Sequence, residues 1–219
     1  MRAWRRSLFL FGGGVIKSVY NTDTEILRAI QTLYAPDGFG LDPTFSKGVF
    51  YKEISPPKWK FDLNPVVNGV SKADCQNLPL PNSSMVNIVF DPPFMFGAHG
   101  QTKNNKMNKR FTMFDSFTEL KCVYQNSLRE FWRILKKRGY LFFKCQDYTD
   151  SKTTMTHCLV YNWATEIGFY AQDIFMLIAT GGRIYNPNLK QRHARKFHSY
   201  WWVFRKNSRR RSEKPDYTR

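Results

Sequence analysis

No CxxC pair occurs anywhere in the chain, and Cys75, Cys122, Cys145 and Cys158 lie far apart. That argues against a zinc site and a disulfide framework, and it fits reduced thiols in a cytoplasmic compartment. No apolar run approaches the roughly 20 residues that cross a bilayer. Repeats and low-complexity tracts are missing too. Acidic residues are few: 17 Asp and Glu stand against 34 Lys and Arg, a formal net charge of +17. Such an imbalance fits a polyanionic partner, nucleic acid or an anionic surface. The four histidines (His99, His157, His193, His198) show no metal-ligand spacing and no Ser or Cys partner, so neither a hydrolase nor a metalloenzyme is indicated and no metal is expected.

What is present is core material. Aromatics make up 16% of the 219 residues and apolar residues 42%, which excludes a disordered chain and suits one domain. Residues 1–18 begin with a basic cluster and a short apolar stretch that has the outline of a signal peptide. The stretch ends in Gly12, Gly13 and Gly14 without a small-residue cleavage site, and it is read as a basic arm. The domain proper is expected over residues 19–206, with a basic, disordered tail over 207–219.

Thr22 and Glu25 have capping-box spacing ahead of an apolar stripe at Ile26, Leu27, Ile30 and Leu33, which predicts a helix ended by Asp37 and Gly38. Short strands are predicted at Gly40 to Pro43 and Trp59 to Asp62, and the strongest at Met85 to Phe90. A helix follows from Asp115 to Lys137, stopped by Gly139, then a strand from Tyr140 to Lys144. A further helix over Thr154 to Glu166 is closed by Gly168, and strands at Gln172 to Ala179 and Phe197 to Phe204 complete the pattern. Alternating strands and helices imply an α/β fold with a mostly parallel sheet covered on both faces. Ligands then bind at the carboxyl ends of the strands, where Asp42, Asp62 and Asp91 all fall.

Asp91, Pro92, Pro93 and Phe94 form the most informative tetrapeptide. The prolines hold the chain extended and lack N–H groups, so the loop presents acceptors beside an aromatic plate. That suits a planar base with an exocyclic amine. The residues alone also fit an ordinary strand-to-loop turn, and Asp42, Asp62 and Asp74 taken singly also fit solvated turns.

The tetrapeptide resembles motif IV, (D/N/S)-P-P-(Y/F/W), of S-adenosylmethionine-dependent class I amino methyltransferases, and resembles the DNA adenine-N6 enzymes among them. Over residues 20 to 205 the order of motifs is similar as well. Asp42, Pro43, Thr44, Phe45 and Gly48 stand where the family has its glycine-rich motif I, although Gly48 is the single glycine there. Asp62 stands where an acid binds the ribose hydroxyls, and Asp74 with Cys75 where the cofactor's adenine is held. The resemblance implies a Rossmann-like, seven-stranded, mostly parallel sheet with helices on both faces and a reversed final strand. It implies S-adenosylmethionine as cofactor and methyl transfer to an exocyclic base amine, adenine N6 in DNA first, with Asp91, Pro92, Pro93 and Phe94 catalytic. The alternatives are an RNA base methyltransferase (adenine N6 or guanine N2) and a non-catalytic nucleic-acid-binding subunit of the same fold.

Basic groups flank the motif without acids between them: Lys103, Lys106, Lys109 and Arg110 after it, and Arg192, Arg195 and Lys196 with His198 farther on. They are expected to contact phosphate, though a solubilising surface is the other reading. Nucleic acid rather than a membrane is the expected partner, and no feature specifies a protein partner. Gln146 or Asp147 is a candidate for base contact, with loop solvation the stronger reading. The chain has no room for the separate target-recognition domain of the longer family members, so relaxed sequence specificity is expected.

Overall fold

The computed structural model describes residues 15–97, 114–149, 152–181, 190 and 192–207. The basic arm's first 14 residues, the tail beyond residue 207, and Lys103, Lys106, Lys109 and Arg110 lie outside them.

Helix α1 (Asp23–Tyr34) follows the short strand β1 (Val19–Tyr20). Thr22 caps it from an extended conformation: its Oγ1 accepts from the Glu25 amide at 3.2 Å while Glu25 Oε2 accepts from the Thr22 amide at 3.1 Å. The buried stripe is Ile26, Leu27, Ala29 and Ile30; Leu33 departs from expectation and is 47% exposed. The helix also ends earlier than expected, at Tyr34, because the Ala35 backbone leaves the helical region.

Three short strands come next: β2 (Leu41–Asp42), β3 (Trp59–Asp62) and β4 (Ser71–Lys72). Strict alternation fails here, since only a 3-10 turn at Val49–Tyr51 separates β2 from β3 and no helix joins β3, β4 and β5 (Met85–Phe90). Helix α2 (Phe117–Ile134) runs without a loop into β6 (Leu135–Cys145), so Gly139 is not the helix stop. It lies inside β6, where a Cβ would fall 2.8 Å from the Val86 carbonyl oxygen. Glycine is needed there for close approach of two backbones, beside a register shift between β5 and β6 and the left-handed Arg138. A hairpin, β7 (Tyr148–Thr149) with β8 (Thr153–Thr154), precedes α3 (Thr156–Ile167), which Gly168 closes at φ 119°. Strands β9 (Phe169–Ile178) and β10 (His198–Lys206) finish the fold.

The sheet order is β1-β9-β10-β6-β5-β2-β3-β4. It has eight strands rather than the expected seven, because β1 adds a parallel edge to β9. β10 runs antiparallel to both its neighbours, and the other pairings are parallel. Side chains alternate between the faces. Val89, Phe142, Phe175 and Trp201 pack under α1, while Ile88, Phe90, Leu141 and Phe143 pack under α2 and α3. Each fully buried side chain of this kind contributes roughly 1.5–3 kcal/mol. Both faces are therefore covered, and the loops after β2, β3, β5 and β6 are fixed along one edge.

Candidate active site

At the carboxyl end of β2 the Asp42 carboxylate is buried, 2% exposed, and both oxygens are occupied. Oδ1 accepts from the Thr44 amide at 2.8 Å and hydroxyl at 3.1 Å, and Oδ2 from the Tyr51 hydroxyl at 2.8 Å. Burial pushes its pKa up to about 7 against those hydrogen bonds, and the nearby charge of Asp91 adds to the rise. Asp42 therefore shapes the loop from inside.

The loop itself engages four of its own amides. Besides Thr44, the Phe45 amide reaches the Phe61 carbonyl at 3.0 Å, the Ser46 amide reaches Asp62 Oδ2 at 2.9 Å, and the Gly48 amide reaches the Phe45 carbonyl at 2.8 Å. Phe45 stacks on Tyr51 at 5.4 Å between centroids, and the Lys60 ammonium lies 5.6 Å from its ring. A Cβ on Gly48, at φ 64°, would meet Phe45 Cζ at 2.5 Å. One glycine suffices because the ring needs the space, while left-handed Ser46 at φ 48° turns the chain elsewhere.

Asp62, half-buried at the end of β3, takes one amide on each oxygen: Ser46 on Oδ2 and Asn64 on Oδ1 at 2.8 Å. Each oxygen keeps a lone pair. Asp74, just past β4, accepts from the Gln76 amide at 2.9 Å and its side-chain amide at 3.3 Å. Cys75 turns away, with Sγ 3.2 Å from Ser127 Oγ on α2, and burial pushes its thiol up to about 11. Pro43 is buried behind the loop.

β5 delivers Asp91 beside this loop. The Asp91 amide donates to Thr44 Oγ1 at 3.0 Å, so Thr44 links the two acids. Pro92 is buried, and the Pro93 carbonyl accepts from the Tyr124 hydroxyl of α2 at 2.7 Å. Among the described residues no donor meets the Pro92 carbonyl, and half-buried Phe94 has no ring partner. The chain after Phe94 is stapled at its base, where Gly97 and Phe114 are joined by an amide-to-carbonyl bond of 3.1 Å.

The sequence places Lys144 to Asp147 near the mouth of this cleft, but it assigns Lys144 no role and does not show Asp23, Phe50 or Trp201 behind Asp91. Lys144 Nζ, on β6, stands 3.8 Å from Asp91 Oδ1 and 3.0 Å from Asp23 Oδ2. Asp23 Oδ1 accepts from the Trp201 indole at 2.8 Å, and the ammonium lies 4.7 Å from the Phe50 ring centroid and 5.7 Å from that of Trp201. The Asp91 side chain is 29% exposed. Burial raises its pKa to about 6, Lys144 pulling it down and Asp23 pushing it up. Asp23 and Phe50 also line a cleft of about 350 Å³, together with Asn21, Thr22, Leu177 and residues 179–181 at the end of β9. An acid with spare lone pairs, a half-buried aromatic ring and a nearby cleft can hold a flat group that carries N–H donors.

Asp147 is not at this site. It is 4% exposed and accepts from His157 Nδ1 at 2.7 Å, with the imidazole stacked on Tyr200 at 4.2 Å. His157 does have a cysteine neighbour, contrary to expectation: Nε2 is 3.3 Å from Cys158 Sγ. The Asp147–His157 pair fastens the start of α3 to the end of β6. Arg192, Arg195, Lys196 and His198 lead into β10, whose first residue pairs with Ile178. They enter the sheet on the edge where Asp91 leaves it. Among the described residues no His, Cys, Asp or Glu group could hold a metal ion, and no helix is long and apolar enough to cross a membrane.

No protein-family model and no curated protein matches the chain. Parts of it superpose on solved structures. A candidate DNA modification methylase from Thermus thermophilus is 16% identical over 65% of this chain and 56% of its own, with a TM-score of 0.44. The chain thus spans little more than half of that methylase. The complex between the Haloferax volcanii Trm112 methyltransferase activator and a methyltransferase gives 14% identity, 77% and 82% coverage, and a TM-score of 0.49. TrmN from Thermus thermophilus gives 14%, 84% and 48%, with a TM-score of 0.47. The strand order carries the assignment, with its reversed strand β10 next to the edge pair. The fold is Rossmann-like α/β, a mostly parallel sheet covered on both faces. One edge of that sheet gathers Asp42, Asp62, Asp74 and Asp91.

Proposed function

We propose that the protein is an S-adenosylmethionine-dependent methyltransferase acting on an exocyclic amine of a nucleic-acid base, adenine N6 in DNA first. The observation that carries this reading is the presentation of Asp91 to Phe94. A carboxylate with lone pairs to spare, a Pro92 carbonyl that meets no donor among the described residues and a half-buried aromatic ring emerge together at the end of the central strand β5. The donor set fits the cofactor: Asp62 and Asp74 offer carboxylate lone pairs for ribose hydroxyls and an adenine amine at the ends of adjacent strands. When bound, that cofactor supplies an electrophilic methyl on a sulfonium.

The chain's own residues do the rest. Phe94 stacks the target base, worth roughly 1–3 kcal/mol for such a contact. Asp91 and the Pro92 carbonyl each accept one N–H of the amine, which turns its lone pair outward and fixes it for in-line attack. Thr44 and Tyr124 hold the motif on either side, through the Asp91 amide and the Pro93 carbonyl. Arg192, Arg195 and Lys196 support contact with phosphate along the same edge.

Transfer of a labelled methyl to single- and double-stranded DNA and RNA tests the reading. Incorporation into adenine of DNA is expected; incorporation only into RNA moves the substrate to the alternative class. A non-catalytic subunit is favoured by one observation, the loop after β2 with the amides of Thr44, Phe45, Ser46 and Gly48 already bonded. Titration calorimetry separates the two, because that subunit binds no cofactor at millimolar concentration.

A further inference from the structure

Lys144 is a cation that the chain encloses at some cost. Its side chain is 13% exposed, held by Asp23 and faced by two aromatic rings, next to the acid of the proposed motif. Ammonium groups are rarely enclosed unless paired, and one partner would satisfy the charge. Here there are two carboxylates, with 3.0 Å to Asp23 and 3.8 Å to Asp91. The nearer pair is a closed hydrogen bond, itself locked by the Trp201 indole. The farther one is an approach without a hydrogen bond, so Asp91 keeps its lone pairs for another donor.

We propose that Lys144 is a positioning residue for the methyl transfer: clamped by Asp23 in the box of Phe50 and Trp201, it keeps Asp91 a charged acceptor without occupying it. This rests on the functional reading above. The charged and titratable groups around Asp91 are Lys144 on β6, Asp23 on α1, Asp42 on β2, Tyr51 in the 3-10 turn and Tyr124 on α2. Among the described residues around Asp91, Lys144 is the cation. Burial and Asp23 push Asp91 toward the neutral acid, and Lys144 opposes both. A neutral Asp91 would present an O–H where the amine needs an acceptor. The pair Asp23 and Lys144 therefore works in opposite senses on the same carboxylate.

The test is a comparison of Lys144→Met and Asp23→Asn by two readouts. In the first, the carboxyl of Asp91 is titrated by carbon-13 NMR in the full chain, assigned with Asp91→Asn. A wild-type midpoint near pH 6 is expected. Lys144→Met should raise the midpoint by about 1 pH unit or more, and Asp23→Asn should lower it. In the second, kcat/KM for methyl transfer is followed against pH. Lys144→Met should lose about fivefold at pH 6 and recover near pH 8, where Asp91 ionises regardless. Lys144→Arg should keep the wild-type profile. Midpoints that do not move, or that move the same way in both variants, overturn the proposal, as does a deficit equal at every pH. Wild-type protein that transfers no methyl to any nucleic acid sinks the functional reading, and the NMR titration still decides whether Lys144 sets the charge on Asp91.

Discussion

Asp42 and Asp91 are the same side chain at the ends of adjacent strands, and their surroundings give them different work. Asp42 has spent its acceptors on Thr44 and Tyr51, whereas Asp91 meets a cation at 3.8 Å and the cleft side of the molecule. Asp91→Ala should therefore lower kcat at least tenfold and leave cofactor affinity within about twofold, a loss of contacts made mainly in the transition state. Equal methylation rates in wild type and variant would remove Asp91 from the chemistry. The course of the chain at Asp91 was legible in the sequence because it is local: a strand, Met85–Phe90, runs straight into the acid and two prolines. Lys144 was legible only as a polar group near the mouth of the cleft; its pairing with Asp23 was not, since that partner lies 121 residues away. Cys75 looked like a cofactor contact from its place in the order of motifs, but packing against Ser127 decides where it points.

Among the elements, α1 does more than cover a face. Its capped first turn carries Asp23, so the cap fixes the anchor of Lys144 as well as the helix end. Thr22→Ala should destabilise the protein by about 1 kcal/mol. Chemical denaturation measures that loss, and a stability unchanged within about 0.3 kcal/mol would mean the capping box carries little of it. The helix start was readable because Thr22 and Glu25 sit at the one spacing that satisfies two orphan amides. Its far end was not, and Leu33 follows the periodic stripe yet faces water, since periodicity does not say how far the core extends. At Gly139 the glycine signal was read as a helix stop. The backbone of β5 needed that glycine instead, and contact with Val86 cannot be seen from residues 135–144 alone.

At the scale of the molecule, two acids carry raised pKa values, Asp42 to about 7 and Asp91 to about 6, from an ordinary 3.8. The folded state then binds protons more tightly than the unfolded chain. The stability this contributes is fully present below about pH 3.8 and is lost as pH rises through 6 to 7. Thermal unfolding should give a lower Tm at pH 8 than at pH 5, and the difference should shrink in Asp42→Asn. A Tm that rises steadily over that interval would contradict the burial assigned to these carboxylates. The basic edge makes a separate prediction. Replacing Arg192, Arg195 and Lys196 together by Ala should weaken nucleic-acid binding about equally on unrelated sequences and flatten its salt dependence, read from affinity at several ionic strengths. A loss confined to one sequence would assign those residues to base recognition.

The place of β10 has a consequence for how the protein is made. Among the described residues it is the last strand of the sheet in sequence, yet it lies between β9 and β6 and brings Trp201, fully buried, to the core. A nascent chain that has emerged only through β9 holds two strand edges facing an empty slot, each a template for pairing with another chain. Helices and earlier strands can form as they leave the ribosome, but the slot closes only when residues 198–206 arrive. Synthesis thus leaves a vulnerable interval that a chaperone, or rapid translation of that final stretch, would shorten.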